Sequence, residues 1–210
     1  MFGSGDALPA KLPRATPVGG TSLLGLENLA GKVLGRFFIE ARLGRGAMGT
    51  VYRARHLQFG RLFAIKVPHP HLLASESTYK RFEREALLAG RLHHINVVNI
   101  LDFAETSEGL RYLVMDYADG PTLAELIAAG PMPADRMLRI VRQLCNGLDH
   151  AHECGLVHRD FKPENVIVEI DSSGAETPRI VDFGIALLRE DANAESRDRL
   201  TTAGVVLGTP

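Results

Sequence analysis

The residues best suited to chemistry lie in a polar run between apolar flanks, in the stretch LVHRDFKPENVIV at residues 156–168. The flanks would fold as a buried pair of short strands if the polar run did not interrupt them. An exposed turn would explain the polarity, but not the choice of a histidine, an arginine, a lysine, two acids and an amide. Asp160 is therefore a candidate to accept a proton or to orient a nucleophile.

A second carboxylate follows a buried strand shortly afterwards. Asp182 comes directly after Ile180 and Val181 in the stretch IVDFGIAL. Mg²⁺ prefers oxygen ligands and keeps several waters, so a few protein ligands suffice when phosphates supply the rest. Asp182 and Asn165 are therefore candidate magnesium ligands.

Three glycines lie between two predicted strands in LGRGAMGTV, at Gly44, Gly46 and Gly49. A plain glycine-rich hairpin is one interpretation, because this spacing is weak evidence by itself. A dinucleotide-binding fold would require a helix directly after the last glycine, whereas here a β-branched and aromatic strand follows. The pattern therefore favours a flap whose backbone amides approach phosphates.

Lys66 ends the apolar run LFAIK, where an unpaired ammonium would be costly to bury. A lone lysine of this kind is most often a surface residue that extends its amine into water. However, Glu85 lies close to the inward stripe of the next predicted helix, near Phe82 and Ala89. We expect Lys66 and Glu85 to face each other and to hold the ammonium toward a ligand's phosphates.

The elements that must position these residues change in type along the chain. Residues 1–33 are rich in proline and glycine without periodicity, which is typical of a flexible leader. Short β-branched and aromatic stretches then predict an antiparallel sheet, interrupted by a helix at residues 76–92. A long helix at residues 133–153 precedes the polar run. We therefore expect an α+β fold with lobes at residues 34–118 and 119–210.

Composition argues against several classes of protein. The chain has 210 residues, of which 45% are hydrophobic, so it can bury a sizeable core. The net charge of -1 gives no reason to expect nucleic acid or an anionic membrane as a partner. No apolar run approaches the roughly 18 residues of a membrane-spanning helix. Cys145 and Cys154 suggest reduced thiols, which favours a cytoplasmic location.

The motifs GRGAMGTV, FAIK, REALL, HRDFKPEN and DFG occur in the order and approximate spacing of the protein kinases. From about Arg36 to Pro210 the chain resembles the eukaryotic-like serine/threonine kinases of bacteria, whose glycine loop often carries the methionine found here at Met48. The resemblance implies an antiparallel-sheet N-lobe with one main helix, and a helical C-lobe. In the family an A-P-E signature and further helices follow GTP, so we expect the C-lobe to be incomplete here.

The resemblance also implies a reaction, the transfer of the γ-phosphoryl group of Mg-ATP to protein Ser/Thr hydroxyls. Asp160 would be the catalytic base, Lys162 would meet the transferring phosphate, and Lys66 would be held by Glu85. Asn165 and Asp182 would bind Mg²⁺. The residues implied to bind ATP are Leu43, Gly44, Gly46, Gly49, Val51, Ala64, Lys66, Met115, Asp116, Ala118 and Ile167.

Two features point to the subclass and to regulation. Lys162 and Thr209 resemble the corresponding residues of serine/threonine kinases. Because Arg159 precedes the expected base, the chain also resembles kinases whose activation loop is ordered by phosphorylation, with Thr201 and Thr202 as candidates for self-phosphorylation.

Two other functions stay open on the sequence. One is a non-catalytic nucleotide-binding or interaction module derived from the same fold. The other is a small-molecule phosphotransferase, which would use ATP and Mg²⁺ in the same way but usually lacks the lysine that follows the base.

Overall fold

The described residues form an antiparallel sheet of six strands. The computed structural model describes residues 28–73 and 75–183. The strands are β1 (Val33–Leu34), β2 (Phe37–Gly46), β3 (Gly49–His56), β4 (Leu62–Pro68), β5 (Ile100–Glu105) and β6 (Arg111–Asp116). They lie in the order β1-β2-β3-β4-β6-β5, and every neighbouring pair is antiparallel. The antiparallel sheet predicted from the sequence is confirmed.

The sheet is stabilised by an apolar core on one of its faces. In β3, Tyr52 and Ala54 are buried whereas Arg53 and Arg55 are partly exposed, which is the period of two expected for a strand. The buried residues of this core are Leu29, Leu34, Phe37, Ile39, Tyr52, Ala54, Ile65, Val67, Leu110, Tyr112 and Val114.

The sheet begins earlier than the sequence predicts. Leu29 is fully buried in the core, although we placed it in a flexible leader over residues 1–33. The backbone N–H of Gly31 donates to the carbonyl of Ile39 at 2.8 Å, and Ile39 donates back to Lys32 at 2.9 Å. A buried side chain and these bonds fix residues 29–34 on the sheet. The leader prediction is corrected for these residues, while residues 1–27 lie outside the described part.

The chain divides into two compact units. The first unit contains the sheet and is made of the residues up to His69 and of Ile100–Ala118. The second unit contains Pro70–Asn99 and the residues from Asp119 onward. The elements of the second unit are α1 (Glu76–Ala89), α2 (Leu123–Ala128), α3 (Ala134–Glu153), β7 (Val166–Ile170) and β8 (Glu176–Ile180). β7 and β8 pair as an antiparallel hairpin.

The boundary between the units differs from the predicted lobes at residues 34–118 and 119–210. The segment after α1 is bonded to β8: Val98 donates to the carbonyl of Ile180 at 2.9 Å, and Ile180 donates to the carbonyl of Asn96 at 2.8 Å. Because of these bonds, α1 belongs with the second unit, although it precedes the last two strands of the sheet in the chain.

The helices start and pack as their sequences predict, with one difference. The Ser75 hydroxyl caps α1 by accepting from the backbone N–H of Thr78 at 3.1 Å. In α3 the buried stripe is Ile140, Leu144, Gly147 and Ala151. Val141 and Cys145 also fit an apolar face by spacing, but both are exposed. No helix in the described part of the chain is long and apolar enough to cross a membrane.

Candidate active site

The glycine loop is the tip of the β2–β3 hairpin. A side chain at Gly49 would place its Cβ 2.3 Å from the carbonyl oxygen of Val67, and the backbone φ of 155° also disfavours other residues. At Gly44 and Gly46 a Cβ would meet nothing within 4 Å. The space above these two glycines is what a loop that approaches phosphates requires.

Four of the predicted nucleotide-binding residues share one face of the sheet. Val51 is paired with Lys66 between β3 and β4, and Ala64 is paired with Met115 between β4 and β6. Directly paired residues of an antiparallel sheet lie on the same face, and Ala64 and Lys66 are two positions apart on one strand. The register therefore brings these side chains together, as the sequence predicts.

The remaining predicted contacts of the sheet unit lie at the end of β6 and beside the glycine loop. Asp116, which follows Met115 as the last residue of β6, is buried, and so is Ala118 just beyond the strand. Leu43, on β2 before the glycine loop, is 49% exposed. A half-exposed leucine beside the loop is available to cover a planar ligand.

Lys66 and Glu85 are both removed from water, as their sequence positions suggest. The exposed fraction is 3% for Lys66 and 5% for Glu85. In α1, Glu85 lies on the same buried stripe as Phe82, Ala86 and Ala89. The expected inward direction of Glu85 is confirmed. Its ion pair with Lys66 stays a prediction.

The polar run after α3 folds as a compact loop around Asp160. The Lys162 ammonium donates to Asp160 Oδ2 at 2.9 Å. The side-chain amide of Asn165 donates to the Asp160 backbone carbonyl at 2.8 Å and lies 3.4 Å from Oδ2. Three of the residues that the sequence selected for catalysis and metal binding therefore meet in one place.

Two residues in this region have left-handed backbone conformations that side chains disfavour. Arg159 has a φ of 60° and Asp182 a φ of 64°. The Asp160 N–H donates to the His158 carbonyl at 2.8 Å and closes a tight turn around Arg159. Such conformations cost about 1–3 kcal/mol each and are typical of functional sites. The strained backbone of Arg159 therefore lies directly before the candidate base Asp160, and that of Asp182 lies at the candidate magnesium ligand itself.

His158 connects the loop to the segment that carries Asp182. It is 2% exposed, and its Nε2 forms a 2.8 Å hydrogen bond with the Val181 carbonyl. Its ring also packs edge-on against Phe183, with 4.7 Å between the centroids. The sequence analysis counted His158 only as one member of the polar run. Its position two residues before Asp160 was the one signal that it has a structural role at this site.

Asn96 is a second residue that the sequence analysis missed. It is 2% exposed, and its side-chain amide donates to the carbonyl of Pro178 at 2.9 Å and to Gln143 Oε1 at 3.2 Å. Together with the backbone bond that the Ile180 N–H donates to the Asn96 carbonyl, these contacts hold β8 against α3. The strand that leads to Asp182 is thereby fixed at its middle and at its last residue.

The candidate magnesium ligands fit the ion chemically. The Val181 N–H donates to the Asn165 carbonyl at 3.0 Å, which places Asp182 directly after a residue bonded to Asn165. Their side chains offer one carboxylate and one amide oxygen, which are hard ligands. Among the described residues, no set of three or more His, Cys, Asp or Glu is placed to hold a metal ion. A cation here would therefore need further oxygen ligands from water or from a phosphate.

Several predicted residues remain to be placed. Ile167 lies in β7, is paired with Arg179, and forms an isolated bridge with Thr122, the residue before α2. Thr201 and Thr202, the candidates for phosphorylation, and Thr209 lie outside the described residues.

Comparison with known proteins identifies the family. The sequence profile of the protein kinase domain matches residues 37–205. The serine/threonine-protein kinase pkn3 of Myxococcus xanthus is 37% identical over 186 residues, which is 88% of this chain and 34% of that protein. The chain thus spans about a third of the length of this curated relative.

Solved structures agree with the profile. The PknI kinase domain of Mycobacterium tuberculosis has a TM-score of 0.62 and 34% identity, covering 73% of this chain and 62% of that one. Rad53 in complex with AMP-PNP has a TM-score of 0.62 and 30% identity, covering 71% of this chain and 38% of that one. With a profile match over most of its length and these relatives, the chain belongs to the protein kinase domain family.

Proposed function

We propose that this chain is the catalytic part of an ATP-dependent serine/threonine protein kinase, which transfers the γ-phosphoryl group of Mg-ATP to protein hydroxyls. The observation that carries the proposal is the loop in which Lys162 and Asn165 both bond to Asp160. Family membership supports it, and so does the related Rad53 structure, whose ligand AMP-PNP is an analogue of ATP.

Asp160 would orient the attacking hydroxyl and accept its proton. Its carboxylate is 35% exposed, so a substrate can reach it, and the bond from Asn165 to its backbone keeps the carboxylate in place. Lys162 Nζ, 2.9 Å from this carboxylate, supplies positive charge where the transferred phosphoryl group would carry negative charge. Phosphoryl transfer depends mainly on such positioning and charge neutralisation.

Lys66 would contact the α- and β-phosphates of the nucleotide. It shares a sheet face with Val51 and Ala64, which would pack on the adenine ring. A lysine that is 3% exposed is stable as a cation only with a charged partner, and we propose that Glu85 is this partner. The glycine loop, Leu43 and Ile167 would enclose the nucleotide, and the backbone of Asp116 and Ala118 would hydrogen-bond to the adenine.

Asn165 and Asp182 would hold Mg²⁺ through their side-chain oxygens. A bound Mg²⁺ would neutralise charge on the phosphate oxygens. The protein's own contribution is to fix the two ligands: the 3.0 Å bond from Val181 to Asn165 and the bond from His158 to Val181 hold Asp182 beside the loop.

The partners of the complete protein are part of the proposal. We expect proteins with serine or threonine as substrates, and self-phosphorylation at Thr201 or Thr202. A cytoplasmic location is supported by Cys145 and Cys154, which are free and exposed thiols.

The test is transfer of label from radioactive ATP to a generic basic protein, measured with Mg²⁺. The unmodified chain is compared with Asp160→Asn and Lys66→Met, and we expect both changes to lower the transfer rate at least about a hundredfold, because each removes a group that acts in the transition state. Phosphoamino acid analysis should show phosphoserine or phosphothreonine.

Two outcomes would contradict the proposal. If the unmodified chain transfers no more label than the variants but still binds nucleotide, it is a non-catalytic nucleotide-binding module. If label is transferred only to small molecules, it is a small-molecule phosphotransferase.

A further inference from the structure

The Asp116 side chain is held by an arginine on another part of the sheet unit. Arg61 Nη2 donates to Asp116 Oδ1 at 2.9 Å. The Asp116 side chain is 11% exposed, whereas that of Arg61 is 66% exposed. A carboxylate this far from water is fixed in direction by the partner that it has. The backbone of Asp116, one of the two proposed adenine contacts, is therefore anchored through its own side chain.

Arg61 is itself held in place. It lies in the turn between β3 and β4, where its carbonyl accepts from the His56 N–H at 2.9 Å. Its guanidinium lies over the Phe63 ring, with 5.3 Å to the centroid. Phe63 in turn is paired with Asp116 between β4 and β6. The cation is therefore positioned by an aromatic side chain that belongs to the same strand pair as the carboxylate.

A second arginine contacts the next residue of this segment. Arg53 on β3 forms a hydrogen bond with the Tyr117 side chain, and this bond is the largest cause of the raised pKa of Arg53. Arg53 also lies 2.9 Å from Glu40, whose other carboxylate oxygen accepts from Arg55 at 2.6 Å. Glu40 keeps a partner if Arg53 is removed, so Arg53 can be tested without leaving a half-buried acid unpaired.

We propose that Arg61 and Arg53 are positioning residues for the adenine site. By holding the side chains of Asp116 and Tyr117, they set the direction of the backbone groups at residues 116–118 that would bond to the adenine edge. The proposal rests on the proposed nucleotide-binding function. It assigns part of the nucleotide affinity to the hold that two arginines have on this backbone segment.

The effect should be confined to the adenine end of the ligand. Ion pairs with one solvent-exposed partner contribute little free energy. We therefore expect Arg61→Ala to weaken the binding of AMP-PNP only about two- to fivefold. Adenosine should lose affinity by the same factor. Inorganic tripolyphosphate, which lacks the base, should compete as well with the variant as with the unmodified chain. A general loss of structure would instead weaken all three ligands.

The experiment is calorimetric titration of the full chain, in the presence of Mg²⁺, with AMP-PNP and with adenosine. Binding of tripolyphosphate is measured by its competition with AMP-PNP. Arg61→Lys keeps a cation and should recover part of the affinity, and Arg53→Ala should repeat the selective loss. Arg36→Ala, an exposed arginine in the β1–β2 turn of the same unit, is the matched control and should bind all three ligands normally.

Two results would overturn the inference alone: unchanged AMP-PNP affinity in both arginine-to-alanine variants, or an equal loss for tripolyphosphate. If the unmodified chain binds neither AMP-PNP nor adenosine, the proposed function fails, and this inference fails with it.

Discussion

Leu29→Ala should destabilise the protein strongly, although Leu29 precedes the first residue matched by the family profile. The profile begins at residue 37, yet Leu29 is fully buried in the core of the sheet unit. If the residues before position 34 were a flexible leader, shortening this side chain would have no effect on stability. The substitution therefore distinguishes a flexible leader from a segment that is packed into the core of the sheet unit.

The magnitude follows from the burial of Leu29. The change removes about three carbon groups, and at about 0.8 kcal/mol each the transfer term is about 2.4 kcal/mol. The bonds of Gly31 and Lys32 to Ile39 hold the backbone in register, so the site cannot collapse fully and a cavity remains. Measured losses for buried Leu→Ala changes are about 2–5 kcal/mol, and we expect a value in this range.

The assay is urea unfolding followed by far-ultraviolet circular dichroism. The matched control is Leu101→Ala in β5 of the same unit, where the side chain is 47% exposed and the loss should stay below about 1 kcal/mol. If Leu29→Ala unfolds at the same urea concentration as the unmodified chain, residues 29–34 do not belong to the folded sheet and the reasoning is wrong.

Two further perturbations test other parts of the structure. Gly49→Ala would place a Cβ 2.3 Å from the Val67 carbonyl oxygen and should lower the thermal unfolding midpoint by several degrees, whereas Gly44→Ala, which meets open space, should leave it within about a degree. Burial and then the neighbouring His150 lower the pKa of His94, so the folded state binds fewer protons. The free energy of unfolding should therefore be independent of the protonation of His94 above about pH 6.5 and should fall as the pH drops below this value. His94→Asn should flatten this acidic part of a plot of the urea unfolding midpoint against pH. An unchanged plot would contradict the assignment.

Much of the candidate site could be predicted because its signals are local. Asp160, Lys162 and Asn165 lie within six positions of the chain, so the single loop between α3 and β7 brings them together. The burial of Glu85 also followed from local spacing, since Phe82 and Ala89 mark the inward side of the same helix.

The features that the sequence did not reveal depend on distant partners. Leu29 lies in a stretch with glycines at positions 25 and 31, and its burial is caused by strands that come later in the chain. Asn96 acts through Pro178, which is 82 positions away. The grouping of α1 with the second unit has the same origin, in bonds between the segment after the helix and β8. Local patterns carry no information on such pairings.

The left-handed conformations at Arg159 and Asp182 have a consequence for protein engineering. Glycine adopts these backbone angles without penalty, so replacing either residue by glycine would relieve strain while removing a guanidinium or a carboxylate. A search for heat-resistant variants that scores only survival of the fold would then favour molecules without the chemistry. Stability of the fold and chemical activity therefore favour different residues at positions 159 and 182. A library screened for both properties should retain the arginine and the aspartate.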